Sequence, residues 1–211
     1  MNIDEIVRIL RKEARNNNTP VVELIEERSH DAFKVLASTI LSARTKDETT
    51  MNASRRLFES VKNPENLAEL SLKQIEELIY PVGFYRNKAK FLKKLPLYLG
   101  NGVPDTMDEL VKIPGVGRKT ANIVLSIAFN KKVIAVDTHV HRITNRWGLA
   151  MTKTPLETEQ ALMKKLPEKY WNEINYLLVS FGQNTCTPIS PKCSKCLIYN
   201  YCMRVGVKKH R

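Results

Sequence analysis

Cysteine is scarce in this sequence of 211 residues: four occur, and all of them lie beyond residue 185. No uninterrupted apolar run approaches the roughly 18 residues that a membrane span requires. The first residues, MNIDEIVRILRKEARNNN, contain no apolar signal core. We therefore expect a cytoplasmic protein with no membrane partner. Because the cytoplasm is reducing, disulfides are disfavoured there, and the cysteines need a different explanation.

Signals for β-strands are nearly absent as well. Apolar residues recur at helical spacing, and Pro, Gly, Asn and Asp separate the segments. The segment 4–15 places four apolar residues, from Ile6 to Ala14, on one helical face. Residues 31–43 are apolar on most sides, as expected of a buried central helix. The run VIAV at 133–136 is β-like, but it suits a buried approach to a helix equally well. We expect an all-α protein, with further helices at 47–60, 72–80, 86–99, 105–112, 118–129, 138–147, 156–165 and 169–183.

Acidic residues are outnumbered by basic ones. The 34 lysines and arginines exceed the 22 aspartates and glutamates, which gives a formal net charge of +12. Such an excess favours a polyanionic partner, and nucleic acid is the usual one. A merely basic soluble protein is the alternative. The share of apolar residues, 43%, excludes a disordered or fibrous chain.

A short motif, I-P-G-V-G-R-K-T-A at 113–121, lies between two of the predicted helices. The proline ends the first helix, since the residue before a proline is displaced from the α region. Gly115 and Gly117 allow positive φ and remove side chains that would block a close approach, while Val116 would anchor the turn in the core. The second helix begins near Arg118, so its positive dipole end faces the turn. Such a turn can bind a DNA phosphate; the plain alternative is a helix–helix corner.

The cysteines form the pattern C-x6-C-x2-C-x5-C, at Cys186, Cys193, Cys196 and Cys202. Four thiolates suit either a tetrahedral zinc ion or an iron–sulfur cluster. Zinc sites usually pair two closely spaced hairpins, whereas only one C-x2-C occurs here, which favours the cluster. Two disulfides are a minor alternative.

Two further residues stand out near the hairpin. Lys119 lies just inside its second helix, and Asp137 follows in V-D-T-H at 136–139. Taken singly, each has an ordinary explanation, namely an exposed helical lysine and an aspartate that caps a helix. His139 and His141 are two positions apart on a helix and face different directions, so they do not suggest a metal pair.

Together, I-P-G-V-G-R-K-T-A, V-D-T-H and the cysteine spacing resemble the endonuclease III family of helix–hairpin–helix DNA glycosylases. The likeness runs from residue 1 to residue 202. It implies two helical domains with a catalytic cleft between them. Residues 26–135 would form a six-helix barrel domain that contains the helix–hairpin–helix, and residues 1–25 with 136–211 would form an iron–sulfur cluster domain. The resemblance also implies that the four cysteines hold a 4Fe-4S cluster.

The same resemblance implies a reaction. The family's lysine, which matches Lys119, attacks C1′ of the damaged nucleotide, and the resulting Schiff base allows β-elimination of the 3′ phosphate. The aspartate that matches Asp137 supports the positive charge that builds on the sugar. We therefore expect a bifunctional glycosylase and abasic-site lyase that removes oxidised pyrimidines. Its partner would be double-stranded DNA containing a damaged base or abasic site, bound by a monomer in the nucleoid of a prokaryotic cell.

Further residues are expected to contact this DNA. Phe84, in V-G-F-Y-R-N-K-A, matches the apolar wedge of the family. Arg44 stands where relatives usually carry a glutamine that fills the space left by the flipped nucleotide. This arginine departs from the family pattern and bears on the preference for lesion and opposite base. An arginine that binds a phosphate at a helix end is the alternative. Lys192 and Lys195 would meet backbone phosphates, together with the hairpin residues 115–118. A solvated basic surface is the alternative explanation for these two lysines.

Two other functions stay open at this point. A mismatch glycosylase of the same fold would act on uracil or thymine opposite guanine, although such relatives typically replace the lysine. A non-catalytic helix–hairpin–helix module would bind DNA without needing Lys119, Asp137 or a cluster.

Overall fold

The computed structural model describes residues 2–15 and 31–211, and all regular secondary structure in these ranges is helical. The prediction of an all-α protein is confirmed. No helix in the described ranges is long and apolar enough to cross a membrane. The predicted domain boundary between residues 25 and 26 lies outside the described residues. Residues 133–136 form neither strand nor helix and lead, largely buried, into the next helix, as one of the two interpretations of VIAV required.

The chain separates into two compact units, each with its own set of helices numbered along the chain. The split unit consists of Met1–Thr19 with Lys132–Arg211, and the continuous unit is Pro20–Lys131. The split unit contains α1 (Ile3–Arg15), α10 (Thr138–Trp147), α11 (Pro155–Lys165), α12 (Trp171–Asn184) and 3-10 turns at Glu168–Tyr170, Cys193–Lys195 and Tyr199–Tyr201. The continuous unit contains α2 (Ala32–Ser42), α3 (Asp47–Ser60), α4 (Pro64–Glu69), α5 (Leu72–Ile79), α6 (Tyr85–Lys94), α7 (Pro96–Leu99), α8 (Met107–Leu110) and α9 (Arg118–Phe129).

The continuous unit is organised around α2. Asp31 starts this helix, because its carboxylate accepts the N–H groups of Phe33 and Lys34. Nearly every side chain from Phe33 to Leu41 is buried, so α2 has no solvent face and packs against α3, α6 and α9. The predicted central helix at 31–43 is confirmed.

Two departures from the predicted helices have local causes. The predicted helix at 86–99 is divided, because Pro96 opens the separate short helix α7. Helix α4 was not predicted. Its start carries a recognisable signal, since the side chain of Asn63 accepts the N–H of Asn66 and Pro64 occupies the first helical position. The remaining predicted helix ends lie within two residues of the observed ones.

The split unit is built by packing α1 and α10 against α12. The apolar face of α1, from Ile6 to Ala14, is buried as predicted. On its polar side, Arg11 forms a two-pronged salt bridge with Glu173 of α12, with N–O distances of 2.6 and 2.9 Å. Trp147 and Phe181 join the same core.

A glycine sets the distance between α10 and α12. A Cβ atom placed on Gly182 would lie 2.6 Å from Cδ2 of His139 and 3.0 Å from Cδ1 of Ile143. Both are closer than side-chain carbons normally approach, so the helices could not pack this closely around any larger residue. His139 lies two residues beyond Asp137, and this contact therefore also fixes the surroundings of that carboxylate.

Replacing Gly182 by alanine is expected to lower the melting temperature, because the added methyl group forces the helices apart at a cost of about 1–3 kcal/mol. In an uncrowded helix interior the same substitution would stabilise by about 1 kcal/mol. Thermal unfolding followed by circular dichroism measures the sign of the change, and a raised melting temperature would contradict this close contact.

Candidate functional site

The hairpin between α8 and α9 is a tight turn held from the inside. Ile113 and Val116 are buried, at 2% and 5% exposure, and the N–H of Val116 donates to the carbonyl of Ile113 at 3.0 Å. Gly115 adopts a φ of +84°, and a Cβ there would lie 2.5 Å from the ring of Phe91. Both the conformation and the packing therefore require a glycine at this position.

Gly117 plays a different part from Gly115. Its φ is −94°, so the positive φ that a glycine allows is used at Gly115 and not at Gly117. Among the residues that the structure describes, none lies within 4 Å of a Cβ placed on Gly117. No contact with these residues demands a glycine, and the missing side chain leaves an unobstructed surface at the start of α9. Gly117 is also the N-cap of α9 and has no side chain with which to cap it.

Lys119 lies in the first turn of α9, on an exposed part of the hairpin, as does Arg118. Within the continuous unit, Lys119 is an electrostatic neighbour of Asp47, the first residue of α3. Desolvation raises the pKa of the Asp47 carboxyl, and the positive charge of Lys119 opposes that rise. Sequence reasoning did not single out Asp47, because an acidic residue in a first helical turn is ordinarily a partner of the helix dipole.

Asp137 caps α10. One carboxylate oxygen accepts the N–H groups of His139 and Val140 at 2.8 and 2.9 Å, and the other lies 3.1 Å from Nδ1 of His139. The carboxylate is thereby held in one orientation, and its side chain is 16% exposed. His141 turns instead to Thr158, at 2.6 Å, so the two histidines contact different partners, as predicted.

Arg44 and Phe84, predicted separately from the sequence, come together at the surface of the continuous unit. The guanidinium carbon of Arg44 lies 5.7 Å from the ring centre of Phe84. Phe84 is 61% exposed. Both residues have left-handed backbone conformations, with φ of 52° and 57°, which non-glycine residues adopt uncommonly.

A residue that sequence reasoning missed lies beneath this pair. Lys88, on α6, is 5% exposed, and burial lowers the pKa of its amine to about 8. Its Nζ donates to the carbonyls of Leu41 and Ala43 and to the hydroxyl of Thr45. An amine enclosed by three acceptors is not accessible to a bulky substrate, so Lys88 does not compete with Lys119 as a nucleophile. No local pattern distinguishes it from the exposed lysines around it.

The four cysteines line one cavity of the split unit, and all are free and half-buried. Arg146, in the last turn of α10, donates from Nη1 to the sulfur of Cys186 at 3.3 Å. Burial raises the pKa of the Cys196 thiol to about 12, and a cation bound in the cavity would oppose that rise. Within the described residues, no three His, Cys, Asp or Glu side chains converge as they would around one metal ion.

The remaining predicted contact residues are exposed. Lys192 and Lys195 flank the second and third cysteines and project from the surface of the split unit. Lys119 belongs to the continuous unit and Asp137 to the split unit.

Comparison with known proteins places the chain in a family. Residues 37–168 match the HhH-GPD model, described as the HhH-GPD superfamily of base excision DNA repair proteins. Endonuclease III of Thermotoga maritima is 49% identical over 176 residues, which cover 82% of this chain and 83% of that protein. Endonuclease III of Bacillus subtilis is 40% identical over 184 residues, which cover 85% of this chain and 84% of that protein.

A solved structure shows the same likeness. The structure described as a trapped endonuclease III–DNA covalent intermediate in an estranged-adenine complex superposes with a TM-score of 0.79. The two proteins share 34% sequence identity, and the match covers 97% of each chain. The chain therefore belongs to the endonuclease III family, the DNA glycosylases of base excision repair within the HhH-GPD superfamily.

Proposed function

We propose that this glycosylase is bifunctional: it removes oxidised pyrimidines from duplex DNA and then cleaves the strand 3′ to the abasic site. The observation that carries the proposal is the position of Lys119, an exposed amine in the first turn of α9, directly behind a hairpin whose Gly117 leaves an open surface. A nucleophile placed beside a phosphate-binding turn can address the sugar attached to that phosphate.

The proposed reaction begins when the neutral amine of Lys119 attacks C1′ of the nucleotide. The bond from C1′ to the base breaks, its electron pair leaves with the base, and the base takes up a proton. A proton passes from the nitrogen to O4′ as the C1′–O4′ bond breaks, and the nitrogen lone pair forms the C=N bond of the Schiff base. A proton then leaves C2′, the C3′–O bond breaks, and the 3′ phosphate departs. Water hydrolyses the imine and releases Lys119.

Asp137 is proposed to act on the transition state of base loss. Departure of the base builds positive charge on the sugar, and a fixed carboxylate stabilises that charge without having to reorient. The two N–H groups that hold one oxygen of Asp137 supply this fixed orientation. The nucleotide must leave the base stack before either residue can reach it.

DNA binding is assigned to the exposed basic and hairpin residues. Gly115, Val116, Gly117 and Arg118 would receive a backbone phosphate at the positive end of α9, and Lys192 and Lys195 would meet further phosphates. Arg44 and Phe84 would enter the duplex at the lesion. The net charge of +12 agrees with such a partner.

The cysteine cavity fits a 4Fe-4S cluster. Four thiols surround one cavity, and a guanidinium donates to one of them. The ligands of a single zinc ion, with zinc–sulfur distances of about 2.3 Å, would have to converge on one point, and among the described residues no three such side chains do so. A cubane instead holds its thiolates at separate corners. The cluster would serve to cross-link the split unit, and Cys186, Cys193, Cys196 and Cys202 would be its ligands.

We further propose the corresponding organisation: a barrel domain at 26–135 and a cluster domain from 1–25 with 136–211. The protein would act as a monomer on chromosomal DNA in a prokaryotic cytoplasm.

Borohydride should trap the protein covalently on a duplex that contains dihydrouracil or an abasic site, because it reduces the imine to a stable amine. Lys119→Gln should bind the duplex and give no adduct. Lys112→Gln, which changes an exposed lysine of the same hairpin, is the matched control and should be trapped like the wild type. An adduct of undiminished yield with Lys119→Gln would remove Lys119 from the nucleophile role.

Asp137→Asn should lose base excision by about a hundredfold or more, because the charge is removed from the transition state. Its stability should hardly change, since asparagine caps helices as well as aspartate does. Asp137→Ala should lose both excision and about 0.5–2 kcal/mol of stability. Single-turnover excision and thermal unfolding separate the two effects. If the asparagine variant excises normally, Asp137 is a cap and nothing more.

Metal analysis of protein purified without oxygen should find iron and sulfide. Cys196→Ser should lower iron content and the yield of folded protein together, because the ligand set would be incomplete. Ser194→Ala, which changes a residue between Cys193 and Cys196, is the control and should keep its iron. Stoichiometric zinc without iron would overturn the cluster assignment.

A further inference from the structure

Arg44 and Phe84 hold their exposed side chains in place at an unusual backbone cost. Each has a left-handed conformation, which is unfavourable for residues other than glycine and persists only where surrounding structure enforces it. The two side chains face one another at 5.7 Å. The contacts that enforce both conformations therefore define one structural element rather than two independent side chains.

The amine of Lys88 is bonded on both sides of the Arg44 turn. It donates to the carbonyls of Leu41 and Ala43 at 2.8 and 2.6 Å, which precede Arg44, and to the hydroxyl of Thr45 at 2.9 Å, which follows it. The carbonyl of Leu41 belongs to the last turn of α2. Lys88 thus ties the end of α2 and the turn after it to a single point on α6.

The same lysine is also connected to Phe84. The backbone N–H of Lys88 donates to the carbonyl of Phe84 at 3.1 Å, in the first turn of α6. Its backbone therefore holds the Phe84 end, while its side chain holds the Arg44 end. Three acceptors around the amine offset the cost of burying a charge in a place where solvent cannot reach it.

Gly83 closes the arrangement from the other side. Its N–H donates to the hydroxyl of Thr45 at 3.1 Å. A Cβ on Gly83 would lie 2.4 Å from the carbonyl oxygen of Arg44. The two turns are therefore in direct backbone contact, and the Thr45 hydroxyl is shared between Lys88 and Gly83.

We propose that Lys88 is a positioning residue that presets Arg44 and Phe84 as one two-pronged element for entering duplex DNA at a lesion. This inference rests on the proposed function, in which both side chains contact the DNA. An element that is already in place before binding avoids the cost of ordering two side chains and two turns at the moment of binding. Its ligand is the gap in the base stack and the orphaned base that borders it.

The test compares Lys88→Met with Lys93→Met. Lys93, also on α6, donates likewise to several carbonyls, including those of Ala68 and Leu67, but it lies away from the Arg44 turn. The measured quantity is the binding preference for a duplex that contains a tetrahydrofuran residue over the same duplex undamaged. Tetrahydrofuran cannot form a Schiff base, so this preference reports insertion without catalysis. Melting temperatures are measured in parallel.

We expect Lys88→Met to reduce the binding preference about tenfold, because two side chains must then be ordered on binding. Lys93→Met should lower stability and leave the binding preference unchanged. Arg44→Ala should reduce the preference too. The double variant Arg44→Ala with Lys88→Met should then be no worse than the worse single variant, because Lys88 acts through the element that Arg44 belongs to.

Thr45→Val provides a second, milder variant should Lys88→Met fold poorly, since it removes the shared hydroxyl and keeps both carbonyl contacts. A partial loss of preference at near-normal melting temperature supports the positioning role. Additive effects in the double variant, an unchanged preference in both Lys88→Met and Thr45→Val, or an equal loss in Lys93→Met would overturn it. If the wild type prefers the tetrahydrofuran duplex yet excises no base, the proposed function fails while the role of Lys88 is still decided.

Discussion

The first turn of every helix carries N–H groups without partners inside the helix, and the candidate chemistry of this protein is arranged around that constraint. At the start of α10, the carboxylate of Asp137 satisfies two of these groups. At the start of α9, Gly117 offers no capping side chain. One helix start is therefore closed by a charged residue of the chain itself. The other presents its positive end to the hairpin surface, where an anion from outside can serve as the cap.

This difference gives the two helix starts different proposed tasks. One oxygen of Asp137 accepts hydrogen bonds from the first turn of the helix, and the other lies next to the ring of His139. A cap and an electrostatic catalyst are thus compatible roles for one carboxylate, because the first supplies the fixed orientation that the second requires. Lys119 instead lies beside the phosphate that the open helix start would bind. The proposed reaction needs both arrangements: the carboxylate of Asp137 fixed at one helix start and a DNA phosphate bound at the other.

Features with a local cause could be predicted from the sequence, and features with a distant cause could not. The apolar face of α1 follows from the spacing of its apolar residues alone. The turn of Gly115 was predicted because a proline–glycine pair announces it. By contrast, the need for glycine at position 182 comes from His139, more than forty positions away. The role of Lys88 depends on acceptors at 41–45, and nothing in its own surroundings along the chain shows that its amine is buried.

Gly117 does not use the positive φ that the sequence allows at both glycines of the hairpin. A glycine can be required by backbone geometry or by empty space outside the fold, and sequence does not distinguish the two. The φ of −94° at Gly117 and the open space around it identify the second case. Arg44 and Phe84 were each predicted from the family pattern. Their contact with each other was not predicted, because it depends on how the chain folds.

Helix α10 joins the Asp137 carboxylate to the cysteine cavity. Asp137 caps its beginning, and Arg146, in its last turn, donates to the sulfur of Cys186 and to the carbonyl of Thr187. A helix of ten residues is about 15 Å long and behaves as a stiff rod. The Asp137 carboxylate at one end of α10 and the thiols at the other are consequently connected by one rigid helix. Oxidation of the cysteines would disrupt the contact that holds the Arg146 end of α10. The orientation of the Asp137 carboxylate at the other end of the helix would then change as well.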